Sequence, residues 1–138
     1  MILRNRKGLG FIAIMIIIAL VALFLRVGIE QLMQINIAQN ESSAVASLKL
    51  ISTALENFAK NNHGVFPSSI SVLTSSRPAY LESDYFTQSS LKGYSYNCLR
   101  VDTSGYSCVA SPSKCRITGK QVFTITTGGS LTTDDCSK

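Results

Sequence analysis

A single histidine, His63, serves a chain of 138 residues, and no two cysteines stand at the CxxC spacing of zinc and redox motifs. The four cysteines, at positions 98, 108, 115 and 136, all lie well beyond it. Zinc binding and thiol redox catalysis therefore have no foothold. No serine or cysteine motif accompanies His63 to make it a catalytic base, so it reads as a helix-end residue. Proline is absent before Pro67, and Gly28 is the sole glycine between positions 11 and 63, so little there breaks a helix. Charge is scarce too. Arg4, Arg6 and Lys7 supply three units of the net +5, and beyond residue 10 only 10 basic side chains face 8 acidic ones. Such a balance gives poor support to a nucleic-acid partner. A secretory signal peptide should show small residues at A-x-A spacing soon after its apolar core. Here Leu25 is followed by RVGIEQLMQ, and the first match, Ala44-Val45-Ala46, comes roughly twenty residues too late.

What the sequence does have is one long apolar run. Residues 11–25 (FIAIMIIIALVALFL) contain no polar interruption. As a helix they span about 22 Å, and continuing to Ile29 reaches about 28 Å, close to the thickness of a bilayer core. Arg26 can snorkel toward the headgroups. The basic residues in front keep the N-terminus in the cytoplasm, so the remainder faces outward. The helical pattern then continues. Val45, Leu48, Ile51, Leu55, Phe58 and Ala59 recur mostly at steps of three and four, with Gln39, Asn40, Glu41, Lys49, Glu56 and Lys60 on the opposite side. Asn61-Asn62-His63-Gly64 supplies a stop, with Gly64 suited to the left-handed position.

Residues 11–63 would make a helix of about 80 Å, whereas residues 64–138 fold to a head of about 30 Å. The head covers only the second half of such a helix. The apolar first half is expected to protrude, needing lipid or copies of itself.

The last third reads as a sheet. Residues 91–102 (LKGYSYNCLRVD), 105–111 (GYSCVAS) and 121–127 (QVFTITT) alternate like strands, and Gly128-Gly129 turns into a short fourth, 130–133. Tight turns between successive strands imply antiparallel pairing. Four cysteines beyond an apolar segment fit two disulfides in an oxidising compartment. Centring the first hairpin on Thr103 sets Cys98 opposite Cys108 and Tyr96 opposite Ala110, leaving Cys115 and Cys136 to close the C-terminal loop. Three pairings are formally allowed. The expected architecture is α+β: a long N-terminal helix whose amphipathic half packs on a small antiparallel sheet. Asp134-Asp135 is a weak calcium motif, since six to eight oxygens are needed, and reads as a solvated tail. Lys114, Arg116 and Lys120 read as a solubilising loop. No catalytic constellation or cofactor site appears, so no enzyme is expected.

A short basic leader ending in glycine, then phenylalanine, then an apolar helix that becomes amphipathic, resembles type IV pilins and the pseudopilins of type II secretion. The resemblance implies cleavage after Gly10 by a prepilin peptidase and N-methylation of Phe11; Gly8 is a second candidate. Gly64-Val65-Phe66-Pro67, followed by Leu73, resembles the family's handover from helix to head, and Gly93-Tyr94-Ser95-Tyr96 and Gly105-Tyr106 resemble its strand starts. The implied organisation is a leader at 1–10, an apolar transmembrane and filament-core half at 11–29, an amphipathic half at 30–63 and an extracytoplasmic head at 64–138. The implied partners are other pilin or pseudopilin subunits, prepilin peptidase, the inner-membrane assembly machinery and, before assembly, membrane lipid. The implied location is the cytoplasmic (inner) membrane, crossed once, and then a surface or periplasmic filament. One departure is clear. The family's glutamate at the fifth mature position is Met15 here, or Ala13 if cleavage follows Gly8, and a subunit without that acid resembles the minor or initiating ones. A reading from another class is a bitopic protein presenting a disulfide-stapled binding or adhesive head without polymerising.

Overall fold

With no proline, and Gly28 the sole glycine after Gly10, the N-terminal sequence forms the single helix α1, Arg6–Asn61. The computed structural model describes residues 6–138, so Arg4, part of the expected leader, lies outside the described residues. After α1 come a short helix α2 (Ser71–Ser75) and four strands, β1 (Tyr94–Asp102), β2 (Gly105–Pro112), β3 (Gln121–Thr126) and β4 (Ser130–Asp135). The strands make one antiparallel sheet in the order β1-β2-β3-β4. The fold is α+β. The chain divides into two units, with the boundary between Ile35 and Asn36.

In the first unit every side chain of residues 11–27 is exposed. α1 is long and apolar enough to cross a membrane, by length and composition. Arg26 and Glu30, one turn apart, approach to 4.0 Å and offset each other's charge at the end of the apolar run.

In the second unit α1 buries Ile37, Ala44, Leu48, Ile51, Ala54, Leu55 and Ala59. The stripe differs from the sequence expectation in one respect. Val45 and Phe58 are only half-buried at its margins, while Ala44 and Ala54 take its centre. Small residues there let the helix backbone approach the aromatic face of the sheet. Tyr94, Tyr96, Tyr106, Cys108, Ala110, Phe123 and Ile125 supply that face, and Phe66, Leu73 and Leu81 close the end of the core.

The helix ends as its NNHG sequence dictates, though with two left-handed residues rather than one. His63 (φ 58°) precedes Gly64 (φ 84°). The Gly64 N–H donates to the Ala59 carbonyl at 2.7 Å, satisfying one of the last orphan carbonyls. Phe66 then packs edge-on against Tyr106 with ring centroids 5.5 Å apart.

Register follows the sequence pattern, with one adjustment. Cys98 faces Cys108 and Tyr96 faces Ala110, yet Asp102 faces Gly105, so the turn is centred between Thr103 and Ser104. A bulge at Leu99 absorbs the half-step. β1 begins at Tyr94 rather than Leu91. β4 runs to Asp135 rather than stopping at 133, pairing Asp134 with Val122 and Asp135 with Gln121. Ser130–Asp135 is an almost wholly exposed edge strand, and its lack of apolar alternation hid its end.

Candidate assembly surface and the head that carries it

Each turn of residues 11–27 presents bulky apolar side chains on all sides; Phe24 is 74% exposed and Phe11 66%. Burying one such side chain is worth about 1.5–3 kcal/mol, so a surface of this extent is stable in water only when covered. Gly10 lies on the helix with nothing within 4 Å of the place its absent side chain would take. Met15 and its neighbours carry no acid, and Glu30, the nearest carboxylate along the helix, is engaged by Arg26.

The head that follows is tied together by two disulfides, Cys98–Cys108 and Cys115–Cys136. The first bridges β1 and β2 across the register. The second joins the β2–β3 loop to the residue after β4. These are the pairs favoured by the sequence pattern, brought together by the hairpin and by the return of β4 along β3.

The sequence reading set Asn40, Glu41 and Glu56 on the solvent side of α1. The structure corrects this. Asn40 Nδ2 donates to the Thr118 carbonyl at 2.9 Å. Glu41 Oε1 accepts the Lys120 N–H at 2.8 Å. Glu56 Oε1 accepts the Gly128 N–H at 2.7 Å and the Tyr106 hydroxyl at 2.9 Å. Three helix side chains thus hold the β2–β3 loop and the β3–β4 turn. The buried Ser52 completes the set at 2.7 Å from the Tyr106 oxygen. Because Tyr106 donates to Glu56, Ser52 donates to Tyr106. Periodicity misses these residues because a polar side chain at the margin of an apolar stripe has the same spacing as one facing solvent. Glu56→Ala is expected to lower head stability by about 2 kcal/mol, as for hydrogen bonds to a charged acceptor. Glu56→Gln, which keeps an acceptor, should lose less. Urea midpoints followed by tyrosine circular dichroism would show both.

Burial also tunes the tyrosines. Desolvation, reinforced by the nearby Glu41 carboxylate, pushes Tyr94 up to about 12, while its hydroxyl donates to the Gln121 carbonyl at 2.8 Å. Desolvation likewise raises Tyr96 and Tyr106. Folded values above the unfolded value of about 10 mean that this stabilisation is complete below pH ~10 and lost as the pH rises toward 12. Urea midpoints are therefore expected to hold level up to that pH and then fall; a level profile to pH 12 would contradict the burial argument.

His63 is exposed. Asp134 and Asp135 lie on the exposed edge strand, where the Ser137 hydroxyl and N–H hold Asp135 below the usual carboxylate range. Among the described residues no three metal-ligating side chains cluster. Lys114, Arg116 and Lys120 sit in the loop stapled by Cys115.

No family model matches the chain, and comparison with curated proteins and with solved structures gave no match.

Proposed function

We propose that this chain is a structural subunit of a type IV pilus or a type II secretion pseudopilus. Its apolar helix first anchors it in the cytoplasmic membrane, crossing once with the head outside. Prepilin peptidase then cuts after Gly10 and Phe11 is methylated, and inner-membrane assembly machinery draws the subunit into a filament with other pilins. The chemistry is done to the protein; its own work is mechanical and associative. The observation that carries this reading is the complete exposure of residues 11–27 on a helix that runs on into the core of the head. Two disulfides fit an extracytoplasmic head.

A new ammonium at Phe11 has no glutamate at Met15 to pair with, and an unpaired charge in an apolar filament core is costly. This favours a minor or initiating position over a place in the bulk of the fibre. It is also the observation behind the second reading, a bitopic protein that stays uncut and displays its head alone.

A photo-crosslinking residue in place of Ile18, introduced in the native host, separates the two. Filament assembly gives crosslinks to the N-terminal helices of other pilin subunits, lost in a peptidase-deficient strain. Crosslinks to lipid alone would support the uncut anchor. Long filaments formed by the purified chain by itself would overturn the minor-subunit assignment.

A further inference from the structure

The head carries a groove and a knob that its own chain does not bring together. The groove, about 420 Å³, lies between the middle of α1 and the loop after α2. Leu50, Ala54, Tyr80, Leu81 and Tyr85 give it apolar walls, and Glu82 is the one charged residue in its lining. Asp84, between the lining residues Ser83 and Tyr85 though not itself in the lining, is also exposed, its carboxylate accepting the Phe86 and Thr87 N–H groups. Leu50 is 55% exposed, an apolar side chain on the helix face away from the sheet.

The knob is Ile117, 58% exposed at the tip of the β2–β3 loop. Exposed Lys114 and Arg116 flank it. A tight turn sets all three together, with the Ile117 N–H donating to the Lys114 carbonyl at 3.1 Å and the Arg116 N–H to the Gly119 carbonyl at 2.7 Å. Cys115–Cys136 and the Asn40–Thr118 hydrogen bond fix the turn to the rest of the head. A side chain presented so rigidly loses little entropy on docking.

The knob sits at the level of Asn40 and Glu41 on α1, the groove at the level of residues 50–57. About thirteen residues of helix separate them, about 20 Å. One copy cannot fill its own groove, but a neighbour shifted by about that distance along the helix axis can.

We propose that Ile117 of one copy docks in this groove of the next, with Lys114 and Arg116 set against Glu82 and Asp84. The occupant is a second copy of this chain because apolar knob and basic rim match apolar groove and acidic rim. Two different patches meet, so the contact is heterologous: it sets one copy beside the next at the minor or initiating position instead of closing a symmetric dimer. The patch is small beside a standard stable interface. The inference therefore rests on the filament reading, in which helix packing brings the heads side by side.

The test uses the full chain in its native host, with p-benzoylphenylalanine in place of Ile117 and, in a separate strain, in place of Ile16. Irradiation at position 117 should give a chain–chain adduct whose peptide map falls on residues 50–54 or 79–85. Lys114→Glu or Glu82→Lys alone should cut its yield about tenfold, and the two together should restore it. Retention of the Cys115–Cys136 bond reports that each variant is folded. Absence of the adduct, an adduct mapping elsewhere, or capture only of lipid or an unrelated protein would overturn the proposal. Helix-to-helix adducts at position 16 in that case would leave the filament reading standing; their absence as well would count against both.

Discussion

Gly119→Ala is expected to destabilise the head by about 3 kcal/mol, the upper end of the range for overpacking a filled core. A Cβ at this position would stand 2.5 Å from Cζ of Tyr94 and closer still to its hydroxyl oxygen. The ring cannot swing aside. Tyr94 is fully buried and its hydroxyl is bonded to the Gln121 carbonyl. A control distinguishes this clash from backbone effects. Gly128 has open space around it but a φ of 83°, so Gly128→Ala carries only the left-handed penalty, about 1 kcal/mol. A second check is non-additivity. In a Tyr94→Leu background the methyl group has room, so adding Gly119→Ala should then cost much less than it does in the native chain. Chemical denaturation of the four proteins closes the cycle; equal costs in both backgrounds would show that the clash is not the cause.

The paired substitution Cys115→Ser with Cys136→Ser is expected to cost a further 3 kcal/mol or so, from the loop-closure entropy of a loop of this size. The bridge spans 21 residues and encloses β3 and β4. It also anchors the loop that presents Lys114, Arg116 and Ile117. Loss should therefore appear twice: as a lower urea midpoint, and as faster proteolysis after the basic residues of that loop. The head core is one layer of helix on one four-stranded sheet, and small cores of this kind have little stability in reserve. Removing Cys98 and Cys108 together should cost less, because that bond closes a shorter loop of separation 10 inside an already paired hairpin.

Much of this architecture is legible in the chain because two physical periods repeat without interruption. Apolar residues at steps of three and four mark the stripe from Leu48 to Ala59, and alternation marks Tyr94, Tyr96, Tyr106, Cys108 and Ala110. The same alternation sets Cys98 against Cys108. The illegible parts have equally physical reasons. Asn40, Glu41 and Glu56 sit where the stripe meets polar surface, and spacing alone gives no sign that their partners are loop N–H and C=O groups. β4 is an exposed edge strand, so SLTTDD shows no buried period. Gly119 stands in a loop, and only the three-dimensional approach of Tyr94 explains why no side chain fits there. The long connection after α2 folds by packing Leu81, Tyr85 and Phe86 on the core, without a repeating pattern. The groove it lines has no signature in the sequence, and Lys114, Arg116 and Lys120 read there only as a solubilising loop.

The central claim is that an uncovered apolar helix is made for lipid first and for neighbouring subunits afterwards, with cleavage between the two states. Intact mass and N-terminal sequencing of the protein extracted from its native host test this most directly. The account predicts a chain that begins at N-methylated Phe11. A chain that still carries Arg4 to Gly10 would contradict it.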